Sequence, residues 1–289
     1  MNKFIISTDS NCDLPADICE KYNIPIISLN YCFDNIIYGS ENQMSTKKFY
    51  ERLRSGEKPT TMAVNTEDAK DRFEDLVKAG YDIIHISFSS ALSCTYQNVC
   101  IAADELKEEY PAAKITVIDS LCASLGQGLL VYKAIMYMQD NHTYKEVIDY
   151  AEHIKLNISH RFTVDSLEHL HRGGRISKSA YIIGSLINIK PMLYVNDSGA
   201  LVPTGKIRGR KKSLLELANL LIDAVKNSGM NNSVVAISHG DCPQDAGFLA
   251  DVIKDATGVS DIIINHINPA IASHSGPGTV AVFYESVKR

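Results

Sequence analysis

Residues 82–120 read DIIHISFSSALSCTYQNVCIAADELKEEYPAAKITVIDS, and the order of elements in this stretch decides the architecture. Asp82–Phe88 is a strand, closed by a Ser-rich turn. Tyr96, Val99, Ala103 and Leu106 then recur at helical spacing, which predicts a helix through about Glu109. Ile115–Ile118 is the next strand and ends at Asp119-Ser120. Strand, helix and strand in alternation are the signature of a parallel sheet with helices on both faces.

The pattern extends in both directions. Upstream, Lys3–Thr8 reads as a strand, Leu14–Tyr22 as a short helix and Ile24–Cys32 as a second β-rich run. Ser45–Arg54 is helical and stops at Gly56. Asn65 caps a helix with Ala69, Phe73, Leu76 and Val77 on its apolar side, ended by Gly80. Downstream of Ser120 comes a helix of small and large apolar residues, and then a change of character. Thr143-x-x-Glu146 is a capping box before Val147, Ala151 and Ile154. Arg161–Val164 reads as a strand; Ile189–Val195 and Ala200–Arg208 flank Asn196-Asp197-Ser198-Gly199, a hairpin signal. Ser213–Lys226 is an amphipathic helix. Ser233–Ser238, a helix over Gln244–Ala256, Asp261–Ile267 and Thr279–Glu285 complete a mixed α/β half. We place the boundary near residue 155, giving two domains, 1–155 and 156–289.

The 289 residues are 45% hydrophobic, with 29 Lys+Arg against 34 Asp+Glu and a net charge of -5. Such a chain is globular, not disordered, and lacks the basic footprint of a duplex-binding protein. The longest mostly apolar stretch, Leu125–Met138, contains Lys133 and is too short to span a bilayer. The start, Met1-Asn2-Lys3-Phe4, turns polar too soon for a signal peptide, so a cytoplasmic location is expected. Seven cysteines without Cys-x-x-Cys spacing support neither a disulfide framework nor a zinc site, and predict reduced, mostly buried thiols.

Ligands of open α/β sheets gather at the carboxyl ends of parallel strands. Three such ends carry small hydroxyl or acidic residues: Thr8-Asp9-Ser10, Ser87–Ser90 with Ser93, and Asp119-Ser120. Asp9 and Asp119 serve equally well as helix caps. Ser93 precedes a helix, where unpaired N–H groups and the positive dipole end suit a carboxylate or phosphate without a permanent cation. Lys58–Asn65 presents two hydroxyls between helices. His274-Ser275-Gly276-Pro277-Gly278-Thr279 forms a tight loop in which a histidine can donate to an anion. Arg172-Gly173-Gly174-Arg175 and Lys206–Lys212 are basic, glycine-containing segments that can meet phosphate or an acidic partner. No G-x-x-x-x-G-K-[ST] loop, full dinucleotide fingerprint or G-x-S-x-G elbow is present, and His169-x-His171 and His239-Gly240-Asp241-Cys242 lack a remaining metal-ligand set.

In order and spacing these pieces resemble the DegV family, bacterial fatty-acid-binding proteins that serve as binding subunits of fatty acid kinase. The likeness rests on Thr8-Asp9-Ser10, Ser89–Gln97, Asp119-Ser120, Leu167–Ile176, Lys190-Pro191, Lys206–Lys211 and His274–Val280, and runs essentially from end to end. It implies a three-layer α/β/α parallel-sheet domain and a two-layer α/β domain with a mixed sheet. It also implies an interdomain tunnel for a long-chain fatty acid of palmitate type. The carboxyl group would be held at positions matching Thr61, Ser93 and His274, with Met62, Cys94, Thr95 and Gly276 around the pocket. The chain would be no catalyst and need no cofactor or metal. A separate fatty acid kinase would phosphorylate the bound acid, feeding phospholipid synthesis. Arg172, Arg175 and Arg208 would face that kinase or the product phosphate. Transient contact with a membrane surface is compatible with this reading, and no nucleic acid partner is expected.

Two departures from the family pattern stand out. Cys94 replaces a common glycine, which would narrow the head-group pocket or redirect the backbone, and Met62-Ala63-Val64-Asn65 lacks a proline, which would loosen the segment after Thr61. Energetically, a sixteen-carbon tail buries about fifteen carbon groups worth about 12 kcal/mol, against an association cost of about 4–15 kcal/mol. Tight binding therefore needs a preformed dry tunnel and satisfied head-group donors. The alternative reading is a stand-alone phosphoryl- or acyl-transfer enzyme built on Asp9, Ser93, Asp119 and His274, which the missing nucleotide loop disfavours. A DNA-binding regulator is disfavoured by charge.

Overall fold

The computed structural model describes residues 3–182 and 188–289. Met1 and Asn2, read above as part of the polar start, lie outside the described residues. The first half runs β1 (Lys3–Asp9), α1 (Ala16–Lys21), β2 (Ile26–Ile27), β3 (Tyr31–Phe33), β4 (Ile36–Tyr38), α2 (Thr46–Arg54), β5 (Thr60–Thr61) and α3 (Thr66–Lys78). It continues with β6 (Tyr81–Ser87), α4 (Thr95–Glu109), β7 (Ile115–Asp119), α5 (Leu125–Gln139) and α6 (Tyr144–Ile154). The second half runs β8 (Ile158–Thr163), α7 (Glu168–Arg172), α8 (Lys178–Ile182), β9 (Ile189–Val195), β10 (Leu201–Arg208) and α9 (Arg210–Asn227). It closes with β11 (Val234–His239), α10 (Pro243–Thr257), β12 (Asp261–His266), α11 (Pro269–Ser275) and β13 (Val280–Glu285).

Strands β2-β1-β6-β7 form a parallel sheet. Both faces are covered, which is why β1 and β6 are buried along most of their length, polar residues included. Strands β10-β9-β8-β13-β11-β12 form a separate mixed sheet, parallel only between β11 and β12. The expected α/β class, with one parallel and one mixed sheet, is the observed one. A small antiparallel sheet, β4-β3-β5, hangs off the first half.

Local signals explain the helix starts. Asn65 Oδ1 accepts from Glu67 N at 3.1 Å, and Thr143 with Glu146 forms the reciprocal capping box. Helix α5 is apolar nearly all round because it is buried between the two sheets. Its Leu125, Leu129 and Leu130 join Ile84 and Ile86 of one sheet to Phe162 and Phe283 of the other in a single core. Glycines permit that approach: a side chain at Gly126 would lie 2.0 Å from His160 Nε2, and one at Gly128 2.4 Å from the Cys12 carbonyl. Polar ties reinforce the junction. Asp13 accepts from Asn268 N at 2.9 Å, and Tyr50 donates to the Ile267 carbonyl at 3.1 Å.

Several expectations need correction. The run Ile24–Cys32 is two strands in two sheets, because Leu29 N turns away to Ser10 Oγ (2.9 Å). The strand read as Arg161–Val164 begins at Ile158; buried Ser159 and His160 disguised its start. His274 and Ser275, expected in a tight loop, instead end the helix α11. Pro269 sits at its first position and Asn268 caps it, accepting from Ala270 N at 2.8 Å. Arg172 lies in a short helix, not in a loop. The basic run 206–212 divides between β10 and α9. All seven cysteines are free, but only Cys12 and Cys122 are fully buried, and Cys94 is exposed. No described helix is long and apolar enough to cross a membrane.

Candidate functional site

A cavity of ≈ 270 Å³ lies between the parallel sheet, the mixed sheet and α11. Its walls are mostly apolar, with Leu29, Phe88 and Leu92 from the first half and Phe162, Ile271 and Phe283 from the second. These residues occur where strand ends and α11 converge, so the same packing that builds the junction leaves the slot between its parts.

Several polar side chains also line that wall. Thr61 Oγ1, on β5, is 2.8 Å from His274 Nε2, in the last turn of α11. Either partner can be the donor, depending on the imidazole tautomer. Ser93 also lines the cavity; its Oγ accepts from Thr95 N at 3.2 Å and sits 2.9 Å from Thr95 Oγ1. Thr95 and Gly276, expected on the pocket surface, stand behind it. Thr95 is fully buried and receives a hydrogen bond from Val64 N at 3.2 Å. Gly276 packs against His169. Met62 and Cys94 are on the cavity wall, as expected. The loosening expected after Thr61 is absent. Met62 N donates to the Asn30 carbonyl (2.9 Å) and Asn98 Nδ2 to the Val64 carbonyl (2.8 Å), so three ties replace the missing proline.

The three arginines separate. Arg175 lines the cavity, half-buried, donating from Nε to the Leu92 carbonyl at 3.0 Å and from Nη1 to the Gly173 carbonyl. Burial lowers its pKa, and no carboxylate among the described residues pairs with it. A site read from sequence as free of permanent cations thus contains one. Arg172 contacts His169 Nδ1 at 3.0 Å near the surface, and Arg208 is exposed on β10. Burial, and then Arg175 and Arg172, push the His274 pKa down to about 4, so its imidazole is neutral at neutral pH.

Of the four residues of the enzyme reading, Ser93 and His274 line the cavity and Asp9 and Asp119 do not. Asp9 accepts from Phe88 N (2.7 Å) and Asn11 N (3.1 Å), and burial raises its pKa to about 6. Asp119 accepts from Ser90 N and Leu121 N, both at 3.1 Å. Both carboxylates hold turns, while Ser93 and His274 face the cavity. Among the described residues no cluster of three His, Cys, Asp or Glu side chains forms a metal site.

Sequence reasoning missed the support under His274. A side chain at Gly173 would sit 2.0 Å from its Nδ1, so the ring rests directly on that backbone. It also missed the buried amide of Asn11 and hydroxyl of Ser275 on the cavity wall. A glycine pair between arginines reads as a solvated turn, and nothing in the chain's periodicity shows which glycine carries a distant ring.

A family model, "Uncharacterised protein, DegV family", matches residues 3–287. The chain belongs to the DegV family. A DegV domain-containing protein of Clostridium perfringens is 45% identical to it over 286 residues, 98% of each chain. This DegV chain superposes on a fatty-acid-binding DegV family protein from Thermus thermophilus with a TM-score of 0.86. That pair is 27% identical over 99% of this chain and 100% of the other. DegV, a fatty acid binding protein from Bacillus subtilis, gives a TM-score of 0.84 at 26% identity, with coverage of 99% and 100%.

Proposed function

We propose that this protein binds a long-chain fatty acid of palmitate type in the cavity and presents its carboxyl group to a separate fatty acid kinase. The carrying observation is one mostly apolar slot in which Thr61 and His274, bonded to each other, share a wall with Ser93 and Arg175, whose guanidinium bonds the carbonyl just before Ser93 and that of the glycine under His274. An acyl tail meets the hydrophobic demand of the slot. A carboxylate meets the unpaired guanidinium and the hydroxyl and imidazole donors. Fatty acid binding by the Thermus and Bacillus relatives supports the same ligand class.

In this reading residues 1–155 and 156–289 are two domains with the ligand between them, and the chain carries its substrate without acting on it. The protein is cytoplasmic and collects its acid through transient contact with a membrane surface. Arg172 and Arg208, exposed beside the head-group region and on β10, face the kinase, whose acyl phosphate product feeds phospholipid synthesis. Mass spectrometry of an organic extract of the purified protein is the first test, and a stoichiometric long-chain acid is expected. Ser93→Ala and His274→Ala should each weaken acyl binding; unchanged affinity in both would overturn the head-group assignment.

A further inference from the structure

Two polar groups on the cavity wall are left over once the head-group residues are assigned. Asn11 is 2% exposed and Ser275 is 6% exposed, and both line the cavity. Neither Asn11 Oδ1 nor Ser275 Oγ has a hydrogen-bond partner. Buried polar side chains are nearly always partnered, so two orphans on one ligand-sized cavity need a reason.

Their neighbours on the same wall show that orphaning is not general there. Ser124 Oγ is 2.7 Å from Ser238 Oγ and also donates to Asp13. His160 uses both ring nitrogens, one with the Ile158 carbonyl (2.9 Å) and one with Ala123 N (3.1 Å). Thr279 Oγ1 donates to the Ser275 and Gly276 carbonyls at 3.0 and 2.9 Å. Within α11, Ser273 satisfies itself by donating to the Pro269 carbonyl at 2.7 Å, as helical serines do, while Ser275 does not. The Asn11 main chain is fixed by its bond to Asp9, so its amide is held on the wall by the turn itself.

Asn11 belongs to the turn after β1, and among the described residues no hydrogen bond joins it to Thr61, Ser93, His274 or Arg175. Asp13, two positions on, binds Asn268 N at the start of α11, whereas His274 is in the last turn. At 1.5 Å per residue the helix spans on the order of 10 Å.

Resting on the fatty-acid reading, we infer that the preferred ligand is a hydroxylated fatty acid, whose chain hydroxyl is received by Asn11. A hydroxyl both donates and accepts, so it satisfies the Asn11 amide whichever end faces it. A plain methylene chain leaves the amide desolvated and unpartnered.

The test compares octadecanoic acid with a positional series of monohydroxy-octadecanoic acids on delipidated full-length protein, by calorimetry or competitive displacement. At least one isomer should bind about tenfold more tightly than the plain acid, the effect of one buried polar group gaining its partner. Asn11→Leu should cancel that advantage by weakening the hydroxy acid and sparing the plain one. Equal affinity across the whole series in the wild-type protein overturns the inference, even if the variant fails to fold. So does a preference that survives Asn11→Leu. If neither plain nor hydroxylated acid binds, the fatty-acid reading itself fails.

Discussion

Replacing Gly173 by alanine isolates the support under His274. Gly173 has φ −73°, ordinary right-handed backbone, so alanine brings no conformational strain there. What it brings is a methyl group 2.0 Å from His274 Nδ1 and 3.0 Å from Cε1 and Cγ. Ordinary contact starts at 3.4 Å, so the ring must retreat by about 3.4 − 2.0 = 1.4 Å. The Thr61–His274 bond is 2.8 Å long, and most shifts of that size stretch or tilt it beyond use. Overpacking of this kind costs about 1–3 kcal/mol of stability. For a bound carboxylate, losing one charge-assisted donor is worth about 1.5–3 kcal/mol, or about tenfold to a hundredfold in Kd.

Gly174→Ala is the matched control. Gly174 has φ +73° with nothing within 4 Å of an added methyl group, so alanine there is strained but clashes with nothing. That strain costs about 1–2 kcal/mol and leaves His274 where it is. Equilibrium binding of a fluorescent acyl probe, paired with thermal unfolding, separates the two effects. Gly173→Ala should lose affinity beyond its loss of stability, and Gly174→Ala should lose stability alone. Wild-type affinity in Gly173→Ala, or equal loss of affinity in both variants, would refute the claim that this glycine sets the imidazole position.

Burial raises the Asp13 carboxyl to about 8 from an ordinary 3.8, so the folded state keeps a proton that the unfolded chain releases. Its contribution is complete below the unfolded pKa and is lost as pH rises through the folded one; Asp13→Asn should flatten that fall in denaturation free energy, on the order of a few kcal/mol, and parallel curves would contradict it. Arg175→Gln removes the second cause of the low His274 pKa, so an NMR titration should show the imidazole rising part of the way toward its usual value, with weaker acyl binding. An unmoved titration would mean that Arg175 does not lower it. Arg172→Glu and Arg208→Glu should leave acyl affinity intact while lowering kinase-dependent turnover; intact turnover removes both from the kinase-facing surface.

Much of the fold was legible because its elements satisfy local rules. The apolar runs of β1 and β6, the Asn65 cap, the Thr143 capping box and the hairpin over residues 196–199 all carry their signals within a few residues. Helix α11 carried its signals too, Asn268 and Pro269, but glycines after it drew the reading toward a loop. Ser93 and His274 could be named from chain order. Their surroundings could not, because the Thr95–Val64 tie, the Gly173–His274 contact and the inward turn of Arg175 join residues far apart in sequence. A basic turn and a cavity wall are the same string of letters until the fold says which side faces inward.

The inward turn of Arg175 changes the physics of the site. Neutral donors alone would accept a protonated acid as readily as its anion, because burial disfavours charge. A half-buried guanidinium with only carbonyl partners reverses that balance, since a carboxylate beside it recovers part of the desolvation cost of both groups. The same cation helps keep His274 neutral, so the histidine offers one N–H without adding a second positive charge. Thr61 and His274 meanwhile satisfy each other at 2.8 Å. The donors therefore stay ordered before an acid arrives, and exchange one partner for another when it does. In the proposed complex, head-group recognition would draw on charge from Arg175 and on geometry from the hydroxyls and imidazole, while the apolar wall would supply the bulk of the affinity.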